Sequence, residues 1–366
     1  MAAASPRHPN NVSSAAKGIY RFLGNSHFVW DDLLKPLYRK AKSFFVQEKQ
    51  VLGIIDLSPV EKPYARKMKG LCRVRRNDGS GTTNGYMSVS TILHWAGKTG
   101  LGYFKLFSHQ EELMSQNQEI DLAMSGTRRL LSGKTKVIWI WDRGFDDKKN
   151  YRKVLGWRKD KFVGRVYQNR QVRIDGEDCG LMTWGRSLPI MKKFTVKLSF
   201  CRSLRKVRIG LSWGKFEFEG HPLWLLRAQI LWVEGIDANR LKDRNWWLVT
   251  NIRIRDAKVA RRVWRYYRAR WQIETFFKFL KNGLGLEEFQ VIDLERIRRL
   301  ISLVVIAGMF IYKFGVAIDD EPIKIFLYLG GWTGRDKPGK FVLKRGVATF
   351  LSYLYVDSFL KTHEFS

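Results

Sequence analysis

The sequence contains few of the residues that build zinc sites and disulfide frameworks. It holds 3 Cys and 6 His, and none of the cysteines forms a Cys-x-x-Cys pair or has a His at ligand spacing. Both kinds of site need clustered Cys or His residues, so the sequence supports neither. The isolated histidines indicate packed or surface positions rather than catalytic bases; they include His94, His109 and His221.

The sequence also lacks a long hydrophobic run. The longest apolar stretch, from Leu300 to Tyr312, is too short to cross a bilayer. The segment from Met1 to Ser14 is polar and has no apolar signal core. We therefore expect a cytoplasmic protein without a membrane anchor.

Acidic residues are scarce relative to basic ones. Asp and Glu number 34 against 66 Lys and Arg, which gives a formal net charge of +32. Such an excess predicts a polyanionic partner. Basic residues occur along the whole chain and form no amphipathic membrane anchor, so nucleic acid is favoured over an anionic membrane. The 14 Trp include candidates for stacking on bases, although many aromatic residues will belong to the core.

Two apolar strand patterns each run into an aspartate. The run from Val51 ends on Asp56 before Ser58-Pro59 interrupts it, and the run from Val137 to Trp141 is followed by Asp142. We therefore expect two strands that present carboxylates at their tips. With the helical patterns around them, these strands predict an α/β core that follows a small N-terminal helical region.

The middle and the end of the chain carry different periodicities. Alternation of period two predicts a β-rich insertion over residues 165–250, which closes with the strand Trp246–Thr250. The segment from Ala257 to Lys281 contains no Pro or Gly and predicts one long helix, which Gly283 and Gly285 terminate. Further helices are predicted over Leu294–Phe314 and Val347–Leu360.

The helix predicted after the insertion carries one polar stripe. Spacings of three, four and seven place its members within a sector of roughly 60°, at about 100° per residue. The geometry alone leaves two interpretations open, a cleft that carries chemistry and an ordinary solvated face. The stripe consists of Tyr267, Arg270, Glu274 and Lys281.

This stripe resembles the Tyr-x2-Arg-x3-Glu-x6-Lys signature of the DDE transposases of bacterial insertion sequences, and all four positions match. Asp142-Arg-Gly-Phe-Asp146 is similar to the second-aspartate motif of that family. Asp56 corresponds to its first carboxylate, although Leu57 follows where the family usually has Thr. The resemblance extends over roughly residues 50–310.

The resemblance implies a ribonuclease H-like mixed sheet with flanking helices, interrupted by a β-rich insertion subdomain, with helical N- and C-terminal regions. The implied function is a cut-and-paste transposase that cleaves transposon ends and joins them to target DNA, in the nucleoid of a bacterial-type cell. The expected divisions are 1–50 (N-terminal helices), 51–164 (first part of the core), 165–250 (insertion), 251–314 (second part of the core, with the Glu274 helix) and 315–366 (C-terminal helices).

The resemblance also implies the catalytic and metal-binding residues Asp56, Asp142 and Glu274. Three converging carboxylates repel one another unless cations lie between them. Ligands that are all oxygen favour two Mg²⁺ ions, which Mn²⁺ can replace. Such ions can activate water or a 3′-hydroxyl for in-line attack on phosphorus. Asp146 and Asp147 are expected to cap the following helix instead, and Glu287 and Glu288 are weaker candidates than Glu274.

DNA contacts are expected around these carboxylates. The resemblance assigns phosphate contacts to Tyr267, Arg270 and Lys281, and it implies further phosphate contacts from the region after the second Asp, which contains Arg143 and Arg165. Lys278 is a further expected DNA contact. Arg170 is interpreted as a solvated surface residue. Trp246 is either a core residue or, as in similar transposases, a base-stacking residue that supports hairpin ends.

Three interpretations of the function remain open at this stage. A transposase would act as a homodimer on double-stranded DNA, with an interface placed between Leu294 and Leu360. The alternatives are a catalytically inactive DNA-binding protein derived from a transposase, and a ribonuclease H-like nuclease without strand transfer.

Overall fold

A computed structural model describes residues 12–362 except 26, 28, 111–114, 168, 175, 201–202, 238–240, 242–243, 315–320 and 335–339. It begins with the predicted N-terminal helices, α1 (Val12–Leu23) and α2 (Trp30–Phe45). Both pack against a helix near the other end of the chain, α8 (Leu294–Phe314), and α2 also packs on the central sheet. These two helices thus cover part of the core.

The central sheet contains both parallel and antiparallel neighbours. One strand, β1 (Gln50–Glu61), pairs in parallel with β5 (Lys136–Trp141), which pairs in parallel with β6 (Lys161–Arg165). On its other side β1 pairs antiparallel with β3 (Thr82–Trp95), and β3 with β4 (Lys98–Phe107). This arrangement confirms the predicted mixed α/β fold with a ribonuclease H-like sheet. The short β2 (Cys72–Arg75) pairs with β3 and completes a basic hairpin.

Hydrophobic clusters cover both faces of this sheet. Within β1, Leu52 and Ile54 belong to one cluster while Val51 and Ile55 belong to the other. Successive strand residues point to opposite faces, and a central strand buried on both sides therefore has a continuous apolar sequence. Two of the covering helices are α3 (Gln116–Leu130), which begins at a capping box on Ser115, and α4 (Lys148–Gly156).

The β-rich insertion extends the central sheet. Its last strand, β12 (Asn245–Thr250), pairs antiparallel with β6 on one side and with β11 (His221–Val233) on the other. β10 (Ser203–Phe218) follows β11 and pairs with β9 (Lys192–Phe200). The remaining elements are β7 (Gln171–Ile174), β8 (Glu177–Gly180) and the short α5 (Leu181–Ser187). One sheet therefore runs from the core through the insertion.

The prediction of one continuous helix over Ala257–Lys281 is wrong. The structure has α6 (Ala257–Arg268), a turn at Ala269 and Arg270, and α7 (Trp271–Lys278), followed by a π-helical turn (Phe279–Gly283). Backbone bonds spanning three residues, such as Arg270 N to Tyr267 O, tighten the chain at the junction, and the π turn then widens it. The junction at Ala269 and Arg270 contains no Pro or Gly, so the residue pattern did not indicate it.

The C-terminal region is helical, as predicted. α8 has the predicted bounds, and α9 (Glu321–Leu329) and α10 (Lys340–Thr362) pack together beyond it. Within the described ranges, we find no helix with the length and hydrophobicity that a membrane span requires.

Gly164 provides a test of packing beside the second aspartate. It pairs with Trp141 across β5 and β6, and a Cβ at this position would overlap the indole ring of Trp141. We expect Gly164→Ala to lower the free energy of unfolding by about 1–3 kcal/mol, because a buried Trp would have to shift. The control is Gly156→Ala at the end of α4, where a Cβ meets no atom within 4 Å. Equal denaturation midpoints for the two variants would contradict this packing.

Candidate active site

The pairing of β1 with β5 brings the first two aspartates together. Their register ends at Ile54 and Ile140, so two further residues along each strand place Asp56 beside Asp142, the residue after β5. The prediction that Asp56 stands at a strand tip is wrong, because β1 continues through Ser58-Pro59 to Glu61 while paired with β3. Asp56 instead lies where β1 loses its partner β5, which leaves that side of the strand open.

Arg270 links the second aspartate to the glutamate. Its Nη1 lies 2.5 Å from Glu274 Oε1 and 3.8 Å from Asp142 Oδ2. The Arg270 side chain is only 10% exposed, whereas those of Asp142 and Glu274 are 34% and 32% exposed. A buried guanidinium thus sits behind two carboxylates that remain accessible from solution. The turn between α6 and α7 creates this position, since Arg270 is the last residue of the turn and directly precedes α7.

Asp56 lies within electrostatic range of the same groups. Desolvation raises the pKa of its carboxyl group to about 7, the positive charge of Arg270 opposes the rise, and Asp142 and Glu274 add to it. The backbone N–H of Leu57 donates to Asp56 Oδ1 at 2.9 Å. The three predicted carboxylates therefore interact with one another and with one cation.

Tyr267 is the fourth member of this cluster. Its hydroxyl donates to Asp142 Oδ1 at 3.3 Å, and burial raises its pKa to about 12, with Arg270 and Arg165 opposing the rise and Asp142 adding to it. For Arg270, burial disfavours the charge, but Tyr267, Asp142, Glu274 and Asp56 outweigh it and raise the pKa. Tyr267 therefore stays protonated and Arg270 stays charged throughout the physiological range.

Lys281 contacts a different set of groups. Its Nζ donates to Pro59 O at 2.5 Å and to Asn77 Oδ1 at 2.8 Å, and lies 3.2 Å from Glu287 Oε1. Glu287 also accepts a hydrogen bond from the backbone of Glu61. Lys281 thus fixes the extended part of β1 beyond Asp56. The π-helical turn contributes to this placement, because it shifts Lys281 from the position it would have on a regular helix.

Two neighbouring predictions are wrong and share one cause. Arg170 is no solvated surface residue, and Asp146 does not cap α4, although Asp147 does so through the N–H of Lys149. Instead Asp146, whose side chain is fully buried, pairs with Arg170 at 2.6 Å and accepts from Tyr151 Oη at 2.5 Å. The backbone N–H of Tyr167 donates to it as well. This buried pair joins the turn after Asp142 to the loop after β6. Charged residues in two loops carry no sequence signal of such pairing.

The other predicted DNA contacts lie at different places relative to the cluster. Arg165 ends β6 and lies close enough to affect the pKa of Tyr267. Arg143 directly follows Asp142 and is half-buried, while Lys278 is exposed at the end of α7. Trp246 is half-buried on β12, with its ring centroid 6.4 Å from that of Trp264 on α6. Trp247 is buried on the opposite face of the sheet, as the alternation predicted.

The carboxylate cluster fits a hard cation in its donor chemistry, since all three candidate ligands are oxygen. Burial is the largest cause of the raised pKa of Asp56, but Asp142 and Glu274 add to the rise, and a bound cation would relieve that repulsion. Among the residues that the structure describes, no group of three or more His, Cys, Asp or Glu side chains is already close enough to hold a metal ion. Metal binding would therefore require the carboxylates to move closer together, and this movement would weaken their contacts with Arg270.

Comparison with known proteins identifies a family. A family profile described as "Transposase DDE domain" matches residues 118–310, a range that contains Asp142 and Glu274 and begins after Asp56. Among solved structures, the chain is similar to a piggyBac transposase in a synaptic complex with hairpin DNA, with 11% identity and a TM-score of 0.46 over 86% of this chain and 54% of that one. This chain spans about half the length of that transposase. A search of curated proteins gave no match.

Asp56 should control how stability depends on pH when divalent metal is absent. Its pKa is raised in the folded chain, so the folded chain binds a proton that the unfolded chain releases, and stability falls as the pH rises from about 4 to 7. We expect Asp56→Asn to remove this loss, raising the Tm at pH 8 by about 2 °C or more and raising it by less at pH 5, where only part of the loss has developed. Thermal unfolding in EDTA measures both values. An equal shift at the two pH values would refute the electrostatic explanation.

Proposed function

Because the chain belongs to the transposase DDE domain family, we propose that Asp56, Asp142 and Glu274 are the catalytic carboxylates of a cut-and-paste transposase. The observation that carries this proposal is the approach of Asp142 and Glu274 to one buried guanidinium, with Asp56 in electrostatic range. A merely solvated helix face would not interact with one carboxylate inside β1 and another directly after β5.

In this proposal the three carboxylates hold two Mg²⁺ ions, which Mn²⁺ can replace. When bound, such ions supply activation of the attacking hydroxyl and stabilisation of the leaving oxygen. The protein contributes orientation. The Tyr267 hydroxyl fixes Asp142 through its hydrogen bond, and Arg270 holds Glu274 on the same side of the cleft. The substrate is double-stranded DNA, namely transposon ends and target.

Phosphate binding is the proposed role of the basic groups around the cleft. Arg143 follows Asp142, Arg165 influences Tyr267, and Lys278 ends the helix of Glu274. In this proposal they contact the strand on either side of the bond to be cut. Tyr267, Arg270 and Lys281 are assigned phosphate contacts as well. Lys281 now binds Glu287 and Asn77, so DNA would have to compete with these partners. We further propose a homodimer on DNA that uses α8 to α10, acting in the nucleoid of a bacterial-type cell.

Substitution of the carboxylates tests the catalytic assignment. We expect Asp142→Asn and Glu274→Gln each to reduce Mg²⁺-dependent cleavage of transposon-end DNA by more than ~100-fold, because even groups that only support metal ligands cost 10–100-fold when changed. Cleavage is followed on labelled end DNA with Mg²⁺ and a target plasmid. Joined products indicate transposition, cleavage alone indicates a nuclease, and a shifted band without cleavage indicates a binding protein.

The matched control is Glu288→Gln, which removes an exposed carboxylate a few residues after the π-helical turn. It should cleave at the wild-type rate. If both catalytic variants also cleave at that rate while folding normally, the assignment of Asp142 and Glu274 is wrong.

Trp246 is proposed to stack on a flipped base during processing of the ends through hairpins. One face of its ring packs towards Trp264, and the residue is only half-buried. We expect Trp246→Ala to lower the amount of hairpin DNA on a denaturing gel while first-strand nicking continues, and Trp246→Phe to retain most of the hairpin because an aromatic face remains. Wild-type hairpin yield from Trp246→Ala would leave this residue as a core tryptophan only.

A further inference from the structure

The outer strands of the sheet carry an exposed basic surface that the proposed catalysis does not use. On β10, Arg208 stands opposite Thr195 of β9 on one side and opposite Trp232 of β11 on the other. Directly opposite side chains on neighbouring strands are in contact range. These three residues therefore form one row across three strands, and all three are exposed.

The next row along the strands places like charges together. Lys197 of β9 lies directly opposite Lys206 of β10, and both side chains are exposed. Such a pair is destabilising by itself, so its presence favours an anion bound between the two lysines. We call the surface formed by Lys197, Lys206, Arg208 and Trp232 the outer basic face. One carboxylate, that of Glu234, lies at its end and accepts a hydrogen bond from the backbone of Lys206.

Trp232 adds an apolar platform to this face. Its side chain is 47% exposed, an unusual state for a large aromatic residue on a strand interior to the sheet. With Arg208, Thr195, Lys193 and Phe194 it lines an open groove of about 560 Å³. Cations beside an aromatic ring suit a nucleic-acid backbone and its sugars.

The outer basic face points away from the helix that leads into the carboxylate site. Val207 and Ile209 belong to the hydrophobic cluster that also contains Val263 and Trp264 of α6. Arg208 lies between them in sequence and is exposed, so it points to the opposite side of the sheet. A straight duplex that reaches the carboxylates on the α6 and α7 side cannot also lie along this face.

Protection of an edge strand explains only part of this pattern. Lysines often prevent edge strands from pairing with other chains, and β9 pairs only with β10 among the described strands. That account covers Lys193 and Lys197. It does not cover Arg208 or Trp232, because β10 and β11 both lie inside the sheet.

We propose that the outer basic face binds the backbone of a second DNA duplex, without sequence preference, while the first duplex occupies the carboxylate cleft. The proposal rests on the proposed function for the presence of a first duplex. Lys197, Lys206 and Arg208 would contact phosphates, and Trp232 would pack against a sugar at the groove.

The test measures binding of a 15-base-pair duplex of arbitrary sequence in EDTA, so that no step depends on cleavage. The triple variant Lys197→Gln, Lys206→Gln, Arg208→Gln should flatten the slope of log affinity against log salt by about 3, because each phosphate contact contributes about 0.9. Trp232→Ala should weaken binding at every salt concentration with the slope unchanged. Stoichiometry by sedimentation should fall from two duplexes per chain to one in the triple variant.

The control removes the same charge elsewhere, with Lys134→Gln, Arg158→Gln, Lys159→Gln. These residues are exposed and precede β5 and β6, at the strand ends opposite to Asp142. The control should keep the wild-type slope and two duplexes per chain. Equal losses in the two triple variants, or one duplex per chain in the wild type, would overturn the proposal. Two duplexes bound in EDTA, together with no Mg²⁺-dependent cleavage of transposon-end DNA in the separate cleavage assay, would instead overturn the proposed function. That result would leave the outer basic face supported.

Discussion

Repulsion among three carboxylates is the constraint around which the site is organised. Asp56 and Asp142 approach each other because β1 and β5 run in parallel and each aspartate lies two residues beyond their last paired residues, Ile54 and Ile140. Glu274 approaches both aspartates from α7. Arg270 supplies one positive charge beside three carboxylates, and Asp142 and Glu274 add to the rise that burial causes in the pKa of Asp56. The folded chain therefore retains a demand for positive charge at a place that solvent can reach, which is the electrostatic condition for binding hard cations.

The support behind this site is also electrostatic. Asp146 is buried and holds three groups, the guanidinium of Arg170, the hydroxyl of Tyr151 and the backbone N–H of Tyr167. Removing one partner from such a pair leaves a buried charge without compensation, which costs far more than loss of a surface pair. The buried pair therefore holds the turn that follows Asp142 in place. It also holds the loop after β6, which starts beyond Arg165. The position of the second aspartate depends on residues outside the signature.

Much of the fold could be predicted from the sequence, because local periodicity reports which residues are buried. The strands that lead to Asp56 and Asp142, the helix α8 and the alternating strands of the insertion all follow from such patterns. The sequence could not show that β1 continues beyond Asp56, since its pairing with β3 overrides the break expected at Pro59. It also could not show the turn at Arg270, which contains no helix-breaking residue, or the π-helical geometry of the turn that ends at Gly283.

The candidate site was predictable to a similar extent. Spacing placed Tyr267, Arg270 and Glu274 on one face. In the structure Tyr267 donates a hydrogen bond to Asp142, and Arg270 forms an ion pair with Glu274. Lys281 was expected on the same face but contacts Pro59, Asn77 and Glu287. The pairing of Asp146 with Arg170 joins residues from two loops, and neither propensity nor periodicity describes a contact of that kind.

The pairing of β12 with β6 has a mechanical consequence. Because backbone hydrogen bonds run without interruption from β5 through β6, β12 and β11 to β10, no hinge separates the strand that precedes Asp142 from the strand that carries Arg208. A pull or twist applied to the outermost strands is therefore transmitted as a tilt of the whole sheet. Bending of a long nucleic acid held at both places would be resisted by the stiffness of a single β-sheet rather than absorbed between domains.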